Sequence, residues 1–245
     1  MYIFIYNLQK IYIKFLKIFT NIYYKHKKYF KLSRNDVYSR FEIDELNESY
    51  DYFKKYFYTS IFVSNDEIRK YAIEKSLELN LNSNLSSEWF FLEFGVHKGI
   101  SINYFSKFVN EIHGFDSFEG LSEDWLGNYR SKGSYSLNGK TPYLRKNVVI
   151  HVGLVQETLE PFLEEYKPRI KFLHMDLDTY PSTKFVLERL KPFLENDSII
   201  LFDELYNYSG WKNGELKALE EVFKDSEYEY LAFSKDGKRV CLKIL

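Results

Sequence analysis

At 245 residues the chain is long enough for one α/β domain with a full core and an appendage, and short for two complete domains. A formal net charge of −1 gives no electrostatic reason to expect a nucleic-acid partner. The single cysteine, Cys241, excludes an internal disulfide and reads as a buried, inert thiol in the last apolar run.

Every glycine and proline lies at Gly95 or later, so the first 94 residues hold no strong helix breaker. That contrast predicts a helical N-terminal extension over 1–85 and a turn-rich α/β domain over 86–245, with the boundary in the polar stretch Asn80 to Ser87. Leu8, Ile11, Phe15, Ile18 and Ile22 recur at helical spacing, Lys10, Lys14, Lys17, Lys25 and Lys28 fall opposite them, and no acid precedes Asp36. Such a basic amphipathic helix suits an anionic membrane surface, a lid or a second subunit, so residues 1–31 are the expected place of any peripheral membrane contact or homo-oligomer. Lysines interrupt each long apolar run, so neither a transmembrane span nor a cleaved signal peptide is expected and a cytoplasmic location is the default. Ser64 and Glu67 have capping-box spacing and predict a helix running to about Leu79.

From residue 89 the pattern changes. Trp89 to Phe94 is an apolar strand, Gly95-Val96-His97-Lys98-Gly99 is a glycine turn, and Ile100 to Asn110 has helical apolar spacing, so backbone amides can approach a ligand closely here. The spacing is not the G-x-G-x-x-G of dinucleotide folds, which argues against an oxidoreductase. Glu111 to Asp116 reads as a second strand ending in an acid, about twenty residues beyond the first strand, where a carboxylate can grip ribose hydroxyls. Leu121 to Lys146 is a long irregular loop expected over the site, and Asn147 to Val152 is a third strand broken by Gly153. Two apolar strands then end in acids: Ile170 to Leu173 leads into His174-Met175-Asp176-Leu177-Asp178, and Ser198 to Leu201 into Phe202-Asp203-Glu204. Buried parallel strands place their ligand crevice at their carboxyl ends, so Asp176 and Asp203 should converge there, where their repulsion calls for a cation or a shared proton. A helix entered through Pro181 and ending near Phe193 separates them. Glu227 to Ser234 and Lys238 to Ile244 flank Asp236-Gly237, a hairpin signal. The expected fold is α/β: a seven-stranded, mostly parallel, Rossmann-like sheet with a C-terminal antiparallel hairpin, similar to that of class I S-adenosylmethionine methyltransferases, plus the helical N-terminal extension.

Three segments carry a closer likeness. Leu92-Glu93-Phe94-Gly95-Val96-His97-Lys98-Gly99, then Gly114-Phe115-Asp116-Ser117-Phe118-Glu119-Gly120-Leu121, then His174 to Thr183 together resemble the macrocin O-methyltransferase family over roughly Trp89 to Val222. The resemblance implies methyl transfer from S-adenosylmethionine to a hydroxyl, often on a sugar of a natural product, with Mg²⁺. It implies that Glu93, Gly95 and Gly99 hold the methionine end of the cofactor, Asp116 its ribose and Gly153 the adenosine side. It also implies Asp176 as metal ligand and general base, with Asp203 and Glu204 completing the metal site; Glu204 stands where the family usually has Asp.

The bare chemistry agrees. An oxygen-ligated cation that binds a sugar hydroxyl lowers its pKa and fixes it in line with the sulfonium methyl, leaving positioning and proton removal to the strand-end acids. Asp178 fits helix entry as well as catalysis, His97 and His174 read as packing or solvent residues, and Trp125 and Trp211 are open candidates for stacking on a substrate ring. The rival reading is a binding protein that keeps the methyltransferase fold without its activity.

Overall fold

The computed structural model describes residues 36–78 and 89–245. The basic helix expected within residues 1–31 and the domain boundary expected at 85/86 lie outside the described residues. Two compact units are present, residues 1–44 and 45–245. Asp36, in the first, caps the start of helix α1 (Val37–Phe53), which ends in the second, by accepting the Ser39 amide at 2.9 Å.

The second unit holds an eight-stranded sheet in the order β1-β7-β8-β6-β5-β2-β3-β4. Its strands are β1 (Ile61–Val63), β2 (Trp89–Phe94), β3 (Ile112–Asp116), β4 (Val148–Val152), β5 (Arg169–Met175), β6 (Leu194–Phe202), β7 (Tyr228–Ser234) and β8 (Val240–Ile244). Only β8 runs against its neighbours, pairing antiparallel with β6 and β7. The expected seven strands and hairpin are all present, and β1 adds an eighth by pairing parallel with β7. At three residues, β1 is too short to show a period in the sequence. After the edge strand β1, the chain enters the middle of the sheet at β2, moves outward to β3 and β4, then returns to the other side of β2 for β5 and β6. The order therefore reverses around β2, and the crevice outside the carboxyl ends there is where such folds bind ligands.

Helices cover both faces, which is why the central strands read as unbroken apolar runs. The capping box opens α2 (Glu67–Glu78) as expected: Ser64 Oγ accepts the Glu67 amide at 3.2 Å and Glu67 Oε2 accepts the Ser64 amide at 3.0 Å. Helix α3 (Ile100–Phe105) stops earlier than its apolar spacing predicts, and Ser106 Oγ donates back to the Asn103 carbonyl at its end. α2 and α3 bury Ile68, Ala72, Ile73, Ile102 and Phe105 with Phe91, Phe172, Ile199 and Leu201. On the other face α4 (Val155–Tyr166), α5 (Tyr180–Leu190) and α6 (Glu215–Val222) pack with Leu92, Phe94, Leu173, Met175, Ile200 and Phe202. Successive strand residues thus alternate between the two cores. This period of two decides which strand-end acids share a face.

Candidate active site

The glycine turn after β2 lies against the end of β5. Gly95 has φ +88°, and a Cβ there would sit 1.8 Å from the Asp176 carbonyl oxygen, so only glycine permits the approach. Asp116, the last residue of β3, organises the turn. Its Oδ2 accepts the amides of Val96 at 2.8 Å and His97 at 2.7 Å, and its Oδ1 accepts the Phe118 amide at 2.7 Å. The Gly153 amide donates to the Asp116 carbonyl at 3.1 Å, closing the turn after β4 onto the same spot. A cavity of about 260 Å³ opens here, lined by Gly95, Asp116, Gly153, Asp176, Asp178 and Glu204 among others. Leu121, Ser122 and Tyr135 also line it, so the long loop covers the site as expected.

Asp176, Asp178 and Glu204 can each turn a carboxylate oxygen to within 4.8 Å of the other two. Burial first, and then the charges of neighbouring acids, raise Asp176 and Glu204 well above the usual carboxylate range and push Asp178 up to about 7. Glu215, buried beneath, adds to the crowding; it accepts the Glu204 amide at 3.2 Å, and burial followed by Asp178 raises it too. Lys238 Nζ, 4.0 Å from Glu204 Oε1, is the one cation in an ion pair with these four acids among the described residues. Glu204 Oε2 is buried with no partner.

Asp203, an oxygen of which lies within 4.8 Å of Asp176, is bound mainly by cations. Its two oxygens accept Arg239, Nη2 at 3.0 Å and Nε in a short contact; Arg69 Nη2 reaches Oδ1 at 3.2 Å, and His174 Nε2 lies 3.5 Å from it. Burial works to raise this carboxyl, but His174 and Arg239 outweigh it and hold the group well below the usual range. Burial likewise works to lower His174, and Asp203 and Glu93 on either side outweigh it. His174 Nδ1 donates to Glu93 Oε2 at 3.1 Å, and Ser101 Oγ donates to Glu93 Oε1 at 2.8 Å. Glu93, His174 and Asp203 each follow or precede residues of the α4–α6 core, so the pleat turns them together toward α2 and α3.

Of the residues singled out in the sequence, Gly95, Asp116, Gly153, Asp176 and Glu204 meet at the cavity. Glu93 is fully buried beneath it, pinning the turn to His174 and α3. Gly99 lies outside the cavity lining, and a Cβ there would press on Leu144 at 2.9 Å, so its role is to seat α3 under the loop. Asp203 lies with Asp176 and His174 in one group whose ligand atoms are within 4.8 Å of one another and is also bound by arginines, while Asp178 joins Asp176 and Glu204 in a second such group. Asp178 has φ +62°, a left-handed turn ahead of Pro181 that swings its carboxylate into the cavity; the Asp-x-Asp spacing was the available signal. Trp125 and Trp211 are buried core residues, against Tyr208 and against Tyr52 and Phe53 respectively.

A family model described as a methyltransferase domain matches residues 92–205. That stretch, from β2 to just past β6, is therefore similar to a methyltransferase domain, and it has the sheet order of a class I fold. The crystal structure of CalS11, a calicheamicin methyltransferase, superposes with a TM-score of 0.59 at 21% identity, over 80% of this chain and 91% of that one. An apo structure of CalS11, there described as a TDP-rhamnose 3'-O-methyltransferase, gives 0.53 at 23% identity, over 72% and 76%. These likenesses establish the fold. No curated protein matches the chain. Among the described residues no helix is long and apolar enough to cross a membrane.

The cavity suits the donor S-adenosylmethionine on which this class depends. Gly95 and Gly153 leave the backbone open to a ligand, Asp116 presents carboxylate oxygens beside them, and Leu154 and Val155 offer an apolar wall. The acid trio also suits a hard divalent cation: three crowded carboxyls with raised affinity for protons and one orphaned oxygen are stabilised by an oxygen-seeking ion.

Proposed function

We propose that the chain transfers the methyl group of S-adenosylmethionine to a hydroxyl of a sugar or similar small natural-product-like molecule, assisted by Mg²⁺ held by Asp176, Asp178 and Glu204. The observation that carries this reading is the convergence of those three carboxyls, oxygens within 4.8 Å of one another, on the cavity formed by the glycine turn and Asp116. Bound, the donor supplies an electrophilic methyl on a sulfonium, and the cation lowers the pKa of the acceptor hydroxyl and fixes it. The chain's own residues do the rest. Asp116 positions the amides of Val96 and His97 around the donor site, and the loop residues Leu121, Ser122 and Tyr135 limit access of water. Asp176 is the general base: burial and its acidic neighbours raise its affinity for a proton, and its carboxylate stands at the cavity wall. Asp203, tied to Arg239, Arg69 and His174, is a positioning residue that holds the end of β6 against β5.

The reading is supported by what the two CalS11 structures are described as doing, a methyl transfer in calicheamicin biosynthesis. It is tested by calorimetric titration with S-adenosylhomocysteine and Mg²⁺ together with a methyl-transfer assay on nucleotide-activated sugars. The wild type binds both and methylates a hydroxyl, while Asp176→Asn retains S-adenosylhomocysteine binding and loses transfer. Near-normal transfer by Asp176→Asn would remove the assigned base, and donor binding without transfer to any hydroxyl would favour an inactive binding protein.

A further inference from the structure

A second cavity, of about 450 Å³, opens on the α2/α3 face and is lined by Asp66, Arg69, Asn103, Tyr104, Lys107, Tyr143 and Arg145 together with Ile100. Because β1 runs parallel to the main sheet through β7, the start of α2 lies at the same carboxyl edge as the start of α3, so this groove shares the ligand-binding edge of the sheet. Its charge is one-sided. Lys107, Arg145 and Arg69, which also pairs with Asp203, line it beside a single lining carboxylate, Asp66. Lys107 and Arg145 take part in no ion pair among the described residues, and Arg69 Nε is a buried donor with no partner. A buried guanidinium nitrogen left unbonded is costly unless a ligand satisfies it.

The wall is also held in place. Asn103 Nδ2 donates to the Tyr143 carbonyl at 2.8 Å and its Oδ1 accepts the Arg145 amide at 2.8 Å, fastening the far end of the long loop to α3 and bringing Arg145 over the groove. Tyr143 at the rim is 82% exposed and Ile100 is 70% exposed, flat and apolar surface that nothing in the described structure covers. Arg69 links the groove to the chemistry, since its Nη2 donates to Asp203, the residue preceding Glu204.

We propose that this groove binds the diphosphate of the methyl acceptor, a nucleoside-diphosphate sugar, with Lys107, Arg145 and Arg69 on the phosphates, Tyr143 against the base and the sugar directed toward the acid trio. Lys107 and Arg145, together with Arg69, which is shared with Asp203, outweigh the one lining carboxylate and suit the charge of a diphosphate diester, and guanidinium groups pair phosphate oxygens through directed hydrogen bonds. An exposed tyrosine is a stacking surface for a base. As an account of the acceptor this rests on the O-methyltransferase reading; as an account of the groove it does not.

The test is titration of the full chain with thymidine diphosphate in EDTA, so that no cation at the acid trio captures the phosphates. The wild type binds it, and Lys107→Gln/Arg145→Gln, both exchanges at exposed positions, weakens binding by about tenfold or more while S-adenosylhomocysteine affinity stays the same. Absence of binding to the wild type, or equal affinity in the double variant, overturns the proposal. So does inorganic phosphate binding as tightly as thymidine diphosphate, which would make the groove a simple anion site. Because the readout is binding and not turnover, failure of the methyl-transfer reading is visible separately.

Discussion

Replacing Asp203 with Asn removes the charge on which three side chains converge. Asp203 is 7% exposed, both oxygens face Arg239, Arg69 Nη2 stands at 3.2 Å, and His174 Nε2 stands at 3.5 Å. Breaking a buried pair of this kind costs about 3–5 kcal/mol, because the guanidinium and imidazole groups are left charged and desolvated. At about 2–4 °C per kcal/mol for a chain of this size, the thermal midpoint should fall by roughly 6–20 °C. Asp178→Asn should behave in the opposite way. It removes a carboxyl pushed up to about 7 by burial and by Asp203, so in EDTA at alkaline pH the variant should be as stable as the wild type or more so. Mg²⁺ titration separates the two roles: Asp178→Asn should lose about tenfold or more in affinity, whereas folded Asp203→Asn should stay within about threefold. Scanning calorimetry with and without EDTA supplies the midpoints, and isothermal titration the affinities. An unchanged midpoint for Asp203→Asn, or a larger loss of Mg²⁺ affinity there than in Asp178→Asn, would refute the assignment of Asp203 to the arginines and of Asp178 to the metal.

Stability should also depend on pH with a definite sign. The raised carboxyls of Asp176, Asp178 and Glu204 bind protons more tightly folded than unfolded, so in EDTA the midpoint should fall as pH rises through the range between about 5 and 8, and Mg²⁺ should restore most at the upper end; a flat profile in EDTA contradicts this. Gly95→Ala should abolish S-adenosylhomocysteine binding, because its Cβ would meet a backbone carbonyl at 1.8 Å, whereas Gly133→Ala, with φ +79° and nothing within 4 Å, should cost only about 1–2 kcal/mol; calorimetry showing equal effects would remove the close-approach argument. Asp116→Ala strips the acceptors from the amides of Val96, His97 and Phe118, and S-adenosylhomocysteine affinity should drop by about tenfold or more; unchanged affinity would mean the turn holds itself.

Much of this architecture is written locally. Apolar runs bounded by acids mark β5 and β6, the glycine turn follows β2, Asp236-Gly237 marks the hairpin between β7 and β8, and Ser64 with Glu67 opens α2. These signals survive because turn conformation, capping and burial of an apolar run depend on residues near in sequence. The presence of acids at the carboxyl edge follows from the same pattern.

Which acids line the cavity was decided in three dimensions. Asp203 and Glu204 are adjacent just beyond β6, yet only Glu204 lines the cavity, and Asp203 meets Arg69 from α2 and Arg239 just before β8, partners 134 and 36 residues away. Asp178 enters the cavity through a left-handed backbone turn that its sequence neighbours do not demand. Glu93 withdraws to His174 and Ser101, β1 finds β7 across the sheet edge, and Arg69, Lys107 and Arg145 share a groove although α2, the turn after α3 and the long loop each contribute one. Charge pairing and sheet register act between segments far apart in the chain, so the sequence by itself placed carboxylates at a crevice, and only the packed sheet determined which of them is paired with arginine and which lies crowded among other acids.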